Sequence, residues 1–265
     1  MVMSEPMIAL RQVRVAHDAR PVFVDAELVV EAGEVVVVGA PAGAGATTLV
    51  ELLTGQRRAS GVVVAGRELM RLRASSLVRL RQRLGVIPQE LALFTDATAG
   101  ASVELALEIA GVRRTDRRRR ATAALELLDV DADRTIGSLP MAARQRVAWA
   151  RAMVRNPDVV LADHPTSHQD GDGSALFVER LAARAADGTA AVVATRDPVV
   201  LAAAAERGWR MLTIHRHRLV DPAAIAPVEL DAAPHIVAEI ERPLDLEAVP
   251  NVVPFPVGRS AGNRR

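Results

Sequence analysis

The chain has 265 residues, half of them apolar and a quarter charged, which is enough to bury one full core. Zero cysteine excludes disulfides, thiol catalysis and cysteine-ligated metal, and a net charge of +1 gives no global bias toward nucleic acid. Aromatics are only 2%, so the core has to be packed from Val, Leu and Ala; the sequence also contains no lysine, so every strongly basic side chain is arginine. No apolar run approaches the roughly 18–20 residues that span a bilayer, and residues 1–7 lack the basic and apolar pattern of a signal peptide. The expected location is cytoplasmic, peripheral on the inner face of the cell membrane where a partner holds the chain there.

Residues 8–15 and 22–30 predict two strands, separated from the next element by the turn Glu31-Ala32-Gly33-Glu34. A β-branched run at 35–38 ends in a Gly- and Ala-rich loop from Gly39 to Gly45, and helical character follows over 47–53. Strand, glycine loop and helix make the layout of a phosphate-binding α/β unit, because free N–H groups at the helix start face an anion. An ordinary strand-to-helix turn is the alternative. Residues 62–64 predict a short strand, 74–84 a basic amphipathic helix, and 86–87 a short strand ending at Pro88-Gln89. From about 97 to 155 the pattern is helical, with periodic stretches at 103–109, 117–128 and 142–154. A buried strand at 159–162 runs into Asp163, followed by a helix at 176–186, a strand at 190–194, a helix at 199–207 and a last strand at 211–214. This alternation implies a largely parallel sheet covered on both faces.

After residue 220 the character changes. Seven of the fifteen prolines fall between Pro222 and Pro256, so 222–265 is expected to be an extended, Pro-rich tail. His215 and His217, alternating with Arg216 and Arg218, read as metal ligands or as a solvated turn. The arginines of 113–120 read as a nucleic-acid patch or a solvated helical face; no aromatics interleave for base stacking, and no nucleic-acid partner is expected.

The order of landmarks over residues 7–221 resembles the ATP-binding subunits of ABC transporters, most closely those serving type VII systems: the cell-division protein FtsE and its relatives LolD and MacB. The carriers are Gly43-Ala44-Gly45 with Thr47-Thr48-Leu49, Arg81 to Gln89, Gln145-Arg146-Val147-Ala148, Asn156-Pro157, Leu161-Ala162-Asp163 with Pro165-Thr166, and Arg210-Met211-Leu212-Thr213. The resemblance implies an α/β P-loop NTPase core of ABC-ATPase type, with a small antiparallel β part and an inserted helical lobe over about 97–155. It implies ATP with Mg²⁺ as ligand, held through His17 at the base-stacking position, Gly43, Gly45, Thr47 and Thr48, with Thr47, Gln89 and Asp163 around the metal. It also implies a homodimer, or a heterodimer with another ABC ATPase subunit, and an integral-membrane permease-like partner of FtsX type. That partner would dock in the groove between lobe and core, near Gln89 to Asp96. Asp170 matches the family's dimer-contact aspartate.

Several chemistry-bearing positions depart from that family pattern. The P-loop lysine position is Ala46, and the first loop glycine falls on Ala40. With no lysine anywhere, no neighbouring one can substitute. Losing one charged hydrogen bond costs about 1.5–3 kcal/mol, or roughly 10- to 150-fold in affinity. The glutamate that polarises the attacking water is replaced by His164, and the switch histidine by Arg196, which cannot act as a base. The signature Leu-Ser-Gly-Gly-Glu becomes Leu139-Pro140-Met141-Ala142-Ala143, without the hydroxyl and with bulk where backbone has to approach. Three readings stay open: a hydrolysis-impaired ABC-type subunit acting as scaffold or regulator with weak ATP binding, an active ATPase with relocated chemistry at His164 or Arg196, and a soluble regulatory or nucleic-acid-interaction module.

Overall fold

Residues 5–225 are described by the computed structural model, and they form two sheets with helices on both sides of the larger one. Strands β1 (Ile8–His17) and β2 (Arg20–Val30) make an antiparallel hairpin; β4 (Val62–Val64) pairs with the start of β1, and β5 (Arg67–Glu68) completes a four-stranded antiparallel sheet. The second sheet has the order β10-β9-β3-β8-β7-β6, from β3 (Val35–Gly39), β6 (Leu84–Ile87), β7 (Val159–Asp163), β8 (Ala190–Thr195), β9 (Arg210–His215) and β10 (Arg218–Val220). Its pairs are parallel except the β9–β10 hairpin.

The strand period of two divides the core. Val36 and Val38 face one side and pack in a cluster with Leu49, Leu52 and Leu53 of helix α1 (Ala46–Leu53). Val35 and Val37 face the other, with Val147 and Trp149 of helix α5 (Met141–Met153) and Phe177 and Leu181 of helix α6 (Gly171–Ala186). Both faces being covered explains why these strands are continuous Val and Ala runs instead of alternating ones. Helix α2 (Ala74–Arg81) lies before β6, and helix α7 (Pro198–Glu206) connects β8 to β9.

The lobe consists of α3 (Ala99–Ile109), α4 (Arg114–Glu126) and α5. Thr98 caps α3 by accepting from the Ala101 N–H at 3.1 Å, and Gly111 in a left-handed conformation breaks the chain between α3 and α4. The helical pattern expected over 97–155 is interrupted again between α4 and α5, where Thr135 bridges to Thr98 and Ile136–Ser138 forms a 3₁₀ turn.

Three further expectations are corrected. The helix expected over 74–84 stops at Arg81, because Leu84 is buried and begins β6 beside β7. The strand expected to be last is followed by β10, and Arg216 and His217, both at positive φ, form the tight turn between them. Pro222–Ala224 is not extended: Asp221 caps a 3₁₀ turn there, and Ile225 is buried. The remainder of the expected tail, 226–265, lies outside the described residues.

Candidate functional site

Parallel register brings the chemistry together. Gly39 pairs with Thr195, Asp163 with Ala194 and Ile87 with Ala162, so β3, β8, β7 and β6 end side by side. The residues that follow those strand ends are Ala40 and the glycine loop, Arg196, His164 and Gln89. Carboxyl ends of parallel strands are where open α/β sheets bind ligands.

The glycine loop takes left-handed backbone at two positions. Gly43 takes φ 75° and Gly45 φ 111°, and a Cβ on Gly45 would stand 2.7 Å from Val22 Cγ1. Only glycine fits there. Nothing lies within 4 Å of the place a Cβ would take on Gly43, so that side of the loop is open. Helix α1 starts at Ala46 with no acidic residue in its first turn and no side-chain cap, and its first internal bond runs from Leu49 N–H to Gly45 O. The N–H groups of Ala46, Thr47 and Thr48 therefore precede the helical ladder, a backbone arrangement suited to an anion. The side chain of Ala46 is 7% exposed and packed in the core cluster, and it brings no charge to this helix start.

Thr47 Oγ1 donates to Asp163 Oδ2 at 2.7 Å, although 116 positions separate them. Asp163 is 2% exposed, and its Oδ1 is buried without a hydrogen bond. A hydroxyl and a buried carboxylate with a spare oxygen form a fitting pair for Mg²⁺, a hard oxygen-seeking cation. His164 sits next to them at φ 47°, its N–H donating to Ala194 O and its Nε2 4.0 Å from Asp163 Oδ1. Burial holds the His164 pKa below the ordinary 6.5; Asp163 pulls it up and Arg196 pushes it down. Arg196 itself is exposed at the start of a loop anchored by Asp197, whose carboxylate accepts from Ser174 Oγ at 2.6 Å and from Val199 N–H at 2.9 Å. Burial pushes the Asp197 carboxyl up, but the hydrogen bonds from the Ser174 hydroxyl and the Val199 N–H outweigh it and leave the pKa lowered.

At the other end of α5, Pro140 occupies the N-cap position without any capping side chain, and Met141 is 44% exposed. Arg144 braces this turn by donating to Leu139 O and Gly137 O at 2.8 and 2.7 Å. His17 is placed at the tip of the β1–β2 hairpin, two-thirds exposed, with Asp18 as neighbour. Thr48 is half-buried in the first turn of α1, and Gln89 is exposed just beyond β6. Asp170 caps α6, accepting from Gly173 N–H at 2.8 Å. At α4, Arg113 and Arg119 are engaged with Asp116, Arg117 with Glu108 and Arg118 with Asp133, while Arg120 donates to Val154 O.

Trp149 was not singled out from sequence, and Gln145 only as part of the run Gln145-Arg146-Val147-Ala148. Trp149, fully buried in α5, donates through Nε1 to Pro165 O at 2.8 Å and meets the Phe177 ring at 5.1 Å. Gln145, 1% exposed, donates to Ser167 Oγ and accepts from His168 N–H and Gln169 Nε2, while Gln169 also donates to Ala142 O and accepts from Arg146. A lone tryptophan in an Ala-rich helix was the signal for the first. For the second, no local pattern shows that a glutamine will face another loop.

A second surface lies between lobe and core, where β6 is the edge strand. Leu84, Val86, Leu105 and Ile109 line a groove flanked by Arg81, Arg151 and Arg155. Val78, Phe94 and Ile109 are more than half exposed. Among the described residues no helix is long and apolar enough to cross a membrane.

A glycine loop leading to α1, facing a buried aspartate at the end of the adjoining parallel strand, with an inserted helical lobe, defines a P-loop α/β nucleotide-binding fold. The chain belongs to the ABC transporter family, whose model matches residues 23–167. It is similar to the methionine import ATP-binding protein MetN of Geobacillus kaustophilus, 36% identical over 62% of this chain and 50% of that protein. It is also similar to the macrolide export ATP-binding/permease protein MacB of Agrobacterium fabrum, 33% identical over 74% of this chain and 32% of that protein. The chain thus spans half or less of the length of these curated relatives. Among solved structures, a dimeric form of the bacterial ABC transporter cassette MJ0796 superposes with a TM-score of 0.72 at 25% identity, covering 80% of this chain and 96% of the other.

Proposed function

We propose that the chain is an ATP-binding-type subunit of an ABC complex, FtsE-like in kind, which docks on a permease-like membrane partner and has lost most of its capacity to hydrolyse ATP. It acts as a scaffold or regulator of that partner, as a homodimer or beside a second ABC ATPase subunit. The observation that carries this reading is Ala46: a buried methyl at the start of α1 where phosphoryl transfer needs a charge acting on the transferred group. His164 in place of a carboxylate and Pro140-Met141 at the start of α5 point the same way. Retained binding is supported by the glycine backbone, which would hold phosphate, and by Thr47 and Asp163, which would hold Mg²⁺. The groove at the β6 edge is the surface for the partner, and its Arg151 holds the stretch from Gln89 to Asp96 through the Leu91 and Ala92 carbonyls.

The test is calorimetric titration of the purified chain with Mg-ATP together with phosphate release, compared with the Ala46→Lys/His164→Glu double variant. Weak binding and negligible turnover, both raised in the double variant, support the reading. Micromolar binding with family-like hydrolysis by the unaltered chain rejects it. That second outcome would favour an active subunit with relocated chemistry, a reading supported by His164, which burial keeps neutral and able to accept a proton near the metal pair.

A further inference from the structure

The groove at the β6 edge carries a charge that the described residues leave unanswered. Arg81 donates to the carbonyls of Thr54 and Gly55, Arg151 to those of Leu91 and Ala92, and Arg155 to that of Leu84. None of the three pairs with a carboxylate among the described residues, in contrast to Arg117, Arg118 and Arg119 of α4. Burial lowers the pKa of Arg151 and Arg155, so their surroundings disfavour the cation, yet a guanidinium stays charged. The Arg155 Nε is buried with no acceptor. Partly buried cations without a counter-charge are costly, and an anion laid over them relieves that cost. Between them the groove floor is apolar, formed by Leu84, Val86, Leu105 and Ile109. Its complement is a segment that mixes aliphatic and acidic side chains.

The same chain holds such a segment. Residues 229–247 contain Glu229, Asp231, Glu239, Glu241, Asp245 and Glu247 against the single Arg242, and over 236–247 the acids are interleaved with Ile236, Val237, Ile240, Leu244 and Leu246. We propose that residues 236–247 lie in the lobe–core groove of their own chain, with acidic side chains over Arg81, Arg151 and Arg155 and aliphatic ones on the apolar floor, so that the tail occupies the docking surface until a partner displaces it. The proposal rests on that groove being the docking surface assigned above.

Reach permits it. The 3₁₀ turn Pro222–Ala224 lies against β9, and β9 is four strand positions from β6. At about 4.8 Å per strand that separation is roughly 19 Å. The eleven residues from Ile225 to Ile236 span up to about 36 Å when extended. A tether of this kind raises the local concentration of the segment to about millimolar, so even weak intrinsic affinity keeps the groove filled, while a tighter partner segment still displaces it.

The absence of cysteine makes the test clean. The full chain carrying Ile109→Cys and Ile240→Cys is oxidised at low concentration, and disulfide closure is followed by mass spectrometry. The control pairs Ile240→Cys with Leu127→Cys; Leu127 is 56% exposed and Ile109 55%, and Leu127 follows α4 outside the groove. Intramolecular closure at least tenfold faster than the control, reduced toward the control by Glu239→Arg/Glu241→Arg or by high salt, is expected. Equal rates, or a product that is mainly intermolecular, would overturn the proposal. If Ile109→Cys does not fold, Leu105→Cys on the same floor replaces it. Nucleotide and membrane partner are absent from the experiment. An active ATPase would therefore leave the cross-link intact, and a groove that accepts only a permease would leave the function standing without the cross-link.

Discussion

Ala46→Lys isolates the missing charge. In the protein as it stands, the position is the first residue of α1, 7% exposed, and no acid in the first turn would balance a new cation. A positive charge at a helix N-terminus is unfavourable by about 0.3–1 kcal/mol, so without nucleotide the variant should melt about 1–4 °C lower. With nucleotide the sign reverses. A charged hydrogen bond to phosphate contributes about 1.5–3 kcal/mol, which is roughly 10- to 150-fold in affinity. At a ligand concentration of about one hundred times Kd, binding adds about 2.7 kcal/mol of stability, more than the helix penalty removes. Isothermal titration of both proteins with Mg-ATP, and melting curves with and without it, measure each half. Equal affinities for the two proteins would refute the reasoning, because they would mean that the loop already obtains its charge from a group such as Arg196.

Other expectations are more local. Thr47→Val removes the donor to Asp163 and leaves both oxygens of a buried carboxylate without a partner, so stability should fall by about 1–3 kcal/mol; the Mg²⁺ dependence of nucleotide binding should weaken in the same variant, read by titration with and without EDTA. Trp149→Phe keeps the stacking on Phe177 but strands the Pro165 carbonyl, and a loss of about 1–3 kcal/mol in urea melts is expected. His164 has a lowered pKa in the folded protein, so the folded state disfavours its protonation; this contribution is fully present above about pH 6.5 and is lost as pH falls from there through the folded value. Melting temperatures from pH 7.5 to 5 should fall less steeply for His164→Gln than for the unaltered chain, and parallel curves would count against the assignment.

The parts of the fold set by short-range pattern were legible in the sequence. The Val run of β3 and the Gly43 to Gly45 loop announced a strand and a turn, because glycine suits the left-handed backbone at Gly43 and Gly45. Element ends were read less well where tertiary pairing overrode local preference: Leu84 continues a helical pattern but is drawn into β6 by β7, and Arg216-His217 adopt left-handed backbone only because β10 returns along β9. In the site, the nearness of Thr47 to Asp163 was implied by the family resemblance, and the two are hydrogen-bonded. The environment of His164, the bracing of Pro140 by Arg144 and the Gln145–Gln169 contacts were not implied, since each depends on which loops become neighbours after folding. The arginines of the β6 groove were likewise unreadable as a set, because Arg81 and Arg155 lie on opposite sides of the inserted lobe in the sequence.

Trp149 has a mechanical consequence. Its indole ties the middle of α5 to Pro165, two residues beyond Asp163, and Gln145, one turn earlier on the same helix, grips the stretch that follows. The helix is thus a crank shaft. Arg151, further along the same helix, lines the groove, so one element joins that surface to the loop that follows Asp163.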